Sequence, residues 1–213
     1  MTAGLEYDNL YVAVDGSGVW GYYWSNGEGA WRNSGARVLL SGRTGGWRLT
    51  KTVIGAGNHG GFNSNGASVF YSIDTDGGLR WHGYVGIPGS GGYWHPNSGL
   101  RIGQGWQNFA YVTAFEGIFW AVEQDGTLRW YRYDTPVNGS SVDWDSNSGA
   151  IIGSGWRGGT LGFQTVLSGG LGILYAVDRN GALRWNRHYG YGNGTISWDD
   201  DSGGGVIIGS GWM

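Results

Sequence analysis

Three segments of the chain align without gaps: Val69-Phe70-Tyr71-Ser72-Ile73-Asp74, Ile118-Phe119-Trp120-Ala121-Val122-Glu123 and Ile173-Leu174-Tyr175-Ala176-Val177-Asp178. Each leads through Gly77, Gly126 or Gly181 to Leu79-Arg80-Trp81, Leu128-Arg129-Trp130 or Leu183-Arg184-Trp185. A worn fourth copy reads Leu10-Tyr11-Val12-Ala13-Val14-Asp15, then Val19-Trp20-Gly21. A further Trp follows in every copy (Trp31, Trp94, Trp144, Trp198), and three copies close on Ile102-Gly103-Gln104-Gly105-Trp106, Ile152-Gly153-Ser154-Gly155-Trp156 and Ile208-Gly209-Ser210-Gly211-Trp212. In the first copy the closing motif is disturbed, within Leu40 to Trp47. From Val19 the steps to Leu79, Leu128 and Leu183 are 60, 49 and 55 residues. A period of that size marks a repeat architecture.

Each copy reads as four short strands. Strand a is Leu5–Asn9, Leu49–Ile54, Ala110–Phe115 or Phe163–Leu167; strand b is the first repeated segment; strand c starts at the Leu-Arg-Trp motif; strand d runs from the later Trp into the closing motif. Asp125-Gly126 and Asn180-Gly181 mark tight b–c hairpins in which both turn positions favour positive φ. Asn26-Gly27, Asn138-Gly139 and Asn193-Gly194 mark the c–d connections. No segment carries a sustained helical period. Strand b is apolar on consecutive residues, so both its faces must be buried, and a radial array of small antiparallel sheets meets that demand. The reading is all-β: a β-propeller of four blades with four antiparallel strands each, rather than five blades, forming a single domain over 1–213. The blades cover about 5–47, 48–106, 107–156 and 157–213. From Trp106 to Ile118 is 12 residues, and from Trp212 through Met213 and Met1 to Leu10 is 11, so a closed ring with adjacent termini is expected.

Composition agrees with a folded, turn-rich chain. Among 213 residues there are 46 Gly and only 3 Pro, and aromatics reach 15% while charged residues stop at 14%. That aromatic content supports a packed interior, and the dispersed glycines punctuate turns. A net charge of -3, with 13 basic residues of which all but Lys51 are Arg, gives no electrostatic footprint for nucleic acid. Zero Cys removes disulfides, thiolate metal sites and a Cys nucleophile. No apolar run approaches the ~20 residues of a bilayer span, so no membrane insertion is expected. Met1-Thr2-Ala3-Gly4 has neither the basic start nor the apolar run of a secretory leader.

The repeats, Leu-Tyr-Ala-Val-Asp-x-x-Gly-x-Leu-x-Trp followed by Trp and Ile-Gly-x-Gly-Trp, resemble those of tachylectin-2-type β-propeller lectins, most clearly from Gln107 to Trp212. The namesake has five shorter blades, and this chain departs from it in an eroded first copy and an insertion around His59 to Ala67. The resemblance implies a lectin without catalysis or cofactor that binds glycans, N-acetylated hexosamines in particular. It also implies sugar sites between adjacent blades, built from a c–d loop and the connector arriving from the previous blade.

The c–d loops carry aromatic rings beside polar groups, which suits a pyranose with its apolar C–H face and hydroxyl rim. The candidate sugar-binding residues are Tyr131, Arg132, Tyr133, Trp144 and Asp145 in the third copy, and Arg187, His188, Tyr189, Trp198 and Asp199 in the fourth. Tyr84, Trp94 and His95 are the candidates in the second copy, Trp24 and Trp31 in the first. The third and fourth sites are expected to be strongest, because Arg132 and Arg187 pair with Trp144-Asp145 and Trp198-Asp199. In the second copy Gly83 and His95-Pro96 replace those charges. Trp81, Trp130 and Trp185, and the closing Trp106, Trp156 and Trp212, read as structural rings packed between blades.

Other chemistries fit less well. Gly153-Ser154-Gly155-Trp156-Arg157-Gly158 matches G-x-G-x-x-G, but no helix follows to receive a pyrophosphate. Asp199-Asp200-Asp201 lacks calcium-loop spacing and reads as a solvated turn. His59, His82, His95 and His188 have no metal-ligand spacing, so no metal is expected. A glycosidase would need a unique pair of converging carboxylates, whereas the carboxylates here sit in repeated or turn positions. A protein-interaction propeller using the same aromatic rims is the main alternative.

Overall fold

Strand b and strand c of each repeat pair as tight antiparallel hairpins in a computed structural model of the chain, which describes residues 9–15, 17–25, 28–42, 47, 49–56, 67–86, 89–159, 161–199 and 204–212. Four antiparallel sheets result, and the only helical segments among the described residues are 3-10 turns of three or four residues. The first sheet holds β1 (Asn9–Val14), β2 (Gly18–Ser25), β3 (Ala30–Trp31) and β4 (Val38–Gly42). The second holds β5 (Thr50–Gly55), β6 (Ala67–Asp74), β7 (Leu79–Val85), β8 (Tyr93–Trp94) and β9 (Arg101–Gly103). The third is β10 (Tyr111–Phe115), β11 (Ile118–Val122), β12 (Leu128–Arg132) and β13 (Ala150–Gly153) in sequence order. The fourth is β14 (Thr165–Gly170), β15 (Ile173–Val177), β16 (Leu183–Arg187) and β17 (Val206–Gly209), also in order. By contacts the chain divides into two units. One is Met1–Val53, Asn58–Gly105 and Pro136–Ser141; the other is Ile54–Gly57, Trp106–Thr135 and Val142–Met213. Leu5–Asp8, Asn26-Gly27, Asp200-Asp201, Met1, Met213 and nearly all of the His59–Ala67 insertion lie outside the described residues.

The strand order is the expected one, with two refinements. The outer strand is split in the first two sheets: β3 and β4 both pair β2, and β8 and β9 both pair β7. In sheets 3 and 4 the first half shrinks to single bridges, Tyr133 with Trp144 and His188 with Trp198. The b–c turns also differ from expectation. Glu123 N–H donates to Thr127 O and Gly126 N–H to Glu123 O, so the loop has three residues and only Gly126, at φ +90°, is left-handed. Asp125 instead accepts the Thr127 N–H at 2.8 Å through Oδ1, a side-chain bond that shapes the turn without positive φ.

All four sheets share one irregularity. Strand c pairs Val19 with Ser41 but Trp20 with Leu39, and the same skip follows Leu79, Leu128 and Leu183. One outer-strand residue is thus passed over, Leu40 in sheet 1 and Ile152 in sheet 3, and a bulge of this kind frees its carbonyl. A Trp of the next sheet takes that carbonyl: Trp94 Nε1 donates to Leu40 O at 3.0 Å and Trp198 Nε1 to Ile152 O at 2.7 Å.

Burial follows the repeat. Every residue of β11 is buried, as its unbroken apolar run demands. Trp81 and Trp130 are fully buried, and their Nε1 atoms donate at 2.7 Å to Pro136 O and Tyr191 O. Closing tryptophans lie on the following sheet: Trp47 on Phe70 and Trp94, Trp106 on Phe119 and Trp144, Trp156 on Trp198. Trp212 departs from the expected buried role and is 58% exposed, since no further sheet follows it in its unit.

A carboxylate at the end of strand b, buried in the second and fourth sheets and partly exposed in the first and third, anchors each hairpin. Arg80 Nε meets Asp74 at 2.7 Å, Arg129 Nε meets Glu123 at 2.6 Å, and Arg184 Nε meets Asp178 at 2.9 Å. Each Arg also donates to a glycine carbonyl just before β9, β13 or β17, that of Gly99, Gly149 or Gly205. The first sheet keeps the pair by exchange. Trp20 fills the arginine position and donates Nε1–H to Asp15 at 3.1 Å, while Arg37, at the glycine position, reaches Asp15 at 2.8 Å and lies 3.9 Å over the Trp20 ring. That copy is rebuilt, not lost.

The Asn-Gly of the third c–d loop is fixed by close approach. Gly139 has φ +55°, and a Cβ there would fall 2.5 Å from the Trp81 ring, while Asn97 Nδ2 donates to Asn138 O at 3.0 Å. Gly139→Ala should therefore cost about 1–2 kcal/mol from the left-handed backbone alone, and more from the overlap. Thermal melting checks it: a variant as stable as the parent would mean that Trp81 does not hold this loop.

Candidate functional site

A cavity of about 500 Å³ opens in the second sheet, within the size range of small-molecule pockets. Its walls come from two places: Ser41 at the end of the first sheet with Trp47 in the connector after it, and Thr50, Ser72, Arg80, His82, Trp94, His95, Pro96, Ser98 and Gly99 in the second. Trp47 stacks on His82 at 4.3 Å and lies 5.5 Å from Trp94, so two indoles and an imidazole form an aromatic wall. Ser98 Oγ accepts from Gly83 N–H and donates to Gly83 O. Arg80 is held by Asp74 and Gly99 O, which cancels its charge inside the sheet.

His82 is 4% exposed and lies with Nε2 2.9 Å from Ser72 Oγ. Burial, and secondarily the positive charge of Arg80, push its pKa down to about 3, so the ring is neutral at pH 7. Tyr84 is buried and meets Trp94 edge-on at 5.2 Å. His95 accepts the Asn97 N–H at 3.2 Å through Nδ1. In the third sheet Asp145 Oδ1 accepts the Asn147 N–H at 2.8 Å, so imidazole and carboxylate serve the same turn at equivalent positions. The His95 substitution preserves the local backbone.

In the third sheet the position of His82 belongs to Tyr131, whose ring lies 5.0 Å from Trp106 and 5.9 Å from Phe109. Trp144 packs on Trp106 and Phe119, and Tyr133 is buried beside it at 5.6 Å. Arg132 turns to Asp134 at 3.5 Å and donates to Gly192 O at 3.1 Å. Thus Arg132 does not join Asp145 in a paired rim, and Tyr133 offers no open face.

The fourth sheet brings three of its candidates together at the surface. Tyr189 is 54% exposed, its hydroxyl donates to Asp199 Oδ2 at 3.0 Å, and the Arg187 guanidinium lies 5.2 Å over its ring. An exposed aromatic plate with a cation on its face and an anion at its edge results. His188 is instead fully buried and stacks on Trp198 at 4.7 Å. Its Nε2 lies 2.8 Å from Thr195 O, which only accepts, so Nε2 carries the hydrogen and Nδ1 accepts Trp120 Nε1–H at 3.3 Å. Burial lowers the pKa of His188, opposed by the bond to Thr195. In the first sheet Trp24 and Trp31 meet edge-on at 5.2 Å, with Trp31 43% exposed.

The structure adds His82, Ser72 and Trp47 to the candidates. Their sequence signal is a contrast between repeats: Ser72 stands where the other copies have Ala121 and Ala176, and His82 where they have Tyr131 and Asn186. Among the described residues no cluster of His, Asp and Glu is arranged to hold a metal ion, and no helix is long and apolar enough to cross a membrane. In comparison with known proteins, the family model described as Tachylectin matches residues 72–213, more than half of the chain. No curated protein matches it.

Proposed function

We propose a lectin's role for this chain, which belongs to the Tachylectin family: it binds carbohydrate at several similar, non-catalytic sites on the four blades of one propeller domain. N-acetylated hexosamines are the favoured ligands by resemblance. The observation that carries the reading is the second-sheet cavity, which the Trp47 and Trp94 indoles line together with serine and threonine side chains. An apolar wall beside small hydroxyl groups suits a pyranose, whose C–H face packs on rings while its rim exchanges hydrogen bonds. The Arg187–Tyr189–Asp199 group supports a second, shallower site. Weak sites on one rigid scaffold gain by effective concentration on a glycan-coated surface.

A glycan array followed by titration calorimetry tests this. Binding should be multi-site, competed by free N-acetylated hexosamine and unaffected by chelator; silence across a broad array would refute it. Asp199→Ala should weaken the fourth-sheet site by about tenfold, through loss of a charge-assisted bond, with an unchanged melting temperature. Unaltered calorimetry in that variant would remove the fourth sheet from the reading. Exposed Tyr93, Val142 and Ile196 on the c–d segments favour a second reading, a polypeptide partner; binding to a partner that free sugar does not displace would support it.

A further inference from the structure

We infer that His82 is the specificity-determining residue of the second-sheet cavity, where it reads a hydroxyl of a neutral sugar lying against Trp47 and Trp94. This rests on the carbohydrate-binding reading above and goes beyond it by making one site chemically unlike its counterparts.

Two substitutions relative to the other repeats occur together. His82 takes the position of Tyr131 and Asn186, and its hydrogen-bond partner Ser72 takes that of Ala121 and Ala176 on the adjacent strand. Smaller than tyrosine, the imidazole leaves space at the wall where Tyr131 in sheet 3 packs its ring on Trp106. The ring is fixed on two sides. Trp47 and Phe70 stack with it at 4.3 and 5.1 Å, and Nε2 is held by Ser72. Its other nitrogen, Nδ1, is buried and has no partner among the described residues. Buried polar atoms are nearly always paired, so an orphan nitrogen on a cavity-lining residue marks a hydrogen-bond position for a ligand.

The chemistry of that ligand follows from the surroundings. The Ser72 hydroxyl either donates to Nε2 or accepts from it, which leaves Nδ1 as donor or acceptor in turn. A ligand hydroxyl, itself both donor and acceptor, answers either state. Arg80, the cation that lines the cavity among the described residues, is already neutralised by Asp74 at 2.7 Å and is not left to meet an anionic group. Burial keeps His82 itself uncharged. Indole walls with a neutral polar contact select a neutral polyol ring over a phosphorylated or carboxylated one.

The test uses the full chain with N-acetylglucosamine and N-acetylgalactosamine as probes. Long-range nitrogen–proton NMR of the imidazoles should show the His82 Nδ1 resonance moving on saturation, with His188 unmoved. His82→Tyr, which installs the third-sheet residue, should remove one calorimetric site per chain, and His82→Asn, which installs the fourth-sheet residue, should weaken it by about tenfold or more. Ser72→Ala should give an intermediate loss. If the parent binds either sugar while the His82 nitrogens stay still, or while His82→Asn binds as the parent does, the inference is overturned and the lectin reading stands. A parent that binds no sugar on any array overturns both.

Discussion

Trp130→Ala should lower the free energy of unfolding by about 3–5 kcal/mol, the range for truncating a large buried aromatic. Trp130 is fully buried in the core shared by the third and fourth sheets, among Trp120, Leu128, Ile152 and Trp156. Beyond its packing, it donates Nε1–H to Tyr191 O, and it lies against Gly194 of the fourth c–d loop. The substitution thus opens a void and leaves a loop carbonyl without its donor. Trp130→Phe keeps most of the apolar contact and should lose only about 1–3 kcal/mol for the orphaned carbonyl. Urea denaturation monitored by the remaining tryptophans gives both values. Equal losses in the two variants would mean that the indole N–H, not the ring volume, holds this junction.

Acidification from pH 7 towards 5.5 should weaken the fold before most of its carboxylates titrate. An unfolded histidine protonates near pH 6.5, whereas His82, desolvated and beside Arg80, resists until about pH 3. Below pH 6.5 the unfolded chain therefore binds a proton that the folded ring refuses. Stability is complete above that pH and falls as pH drops towards the folded pKa, with a limiting slope of about 1.4 kcal/mol per pH unit for one histidine. His188 adds to the slope, because burial lowers its pKa and protonation would remove the acceptor of Trp120 Nε1–H. Asp178, whose pKa is lowered first by its bond from Arg184, contributes in the same direction only below about pH 4. Urea midpoints between pH 7.5 and 5.5 follow chiefly the histidines, since burial raises the pKa of Glu116 and brings its carboxyl into play at lower pH, and His82→Asn together with His188→Tyr should flatten the profile. A flat profile in the parent would show that both rings protonate in the folded state.

The repeat phase made most of the architecture legible. Consecutive apolar residues in β11 and β15, Asp-Gly or Asn-Gly after them, and Leu-Arg-Trp next locate two strands and their turn from chemistry that acts over ten residues. What depends on register was not legible. The residues Ile151-Ile152-Gly153 look like an ordinary strand, and nothing in them says that Ile152 is passed over by its partner strand. The exchange of Trp20 and Arg37 is visible only once Leu39 is known to face Trp20, because the two changes lie 17 residues apart. For the candidate sites, strand c carries aromatics on both faces, and alternation does not say which face the sheet buries. Tyr84, Tyr133 and His188 accordingly turn inward while Tyr189 stays out. In the sequence His82 is a solitary imidazole, since its meaning depends on Ser72 across the hairpin.

The skipped residue in each outer strand has an evolutionary consequence. The bond that clasps one repeat to the next uses an indole from the later repeat but only a main-chain oxygen from the earlier one, Leu40 for Trp94 and Ile152 for Trp198. A backbone acceptor is indifferent to the side chain that carries it. The earlier partner is therefore free to drift in sequence, and a duplicated or transplanted repeat brings its own donor to a receptor every copy already possesses. Growth of such a gene by duplication needs no matched pair of mutations at the seam, and the eroded first repeat still receives Trp94 at Leu40 although its closing motif has been scrambled.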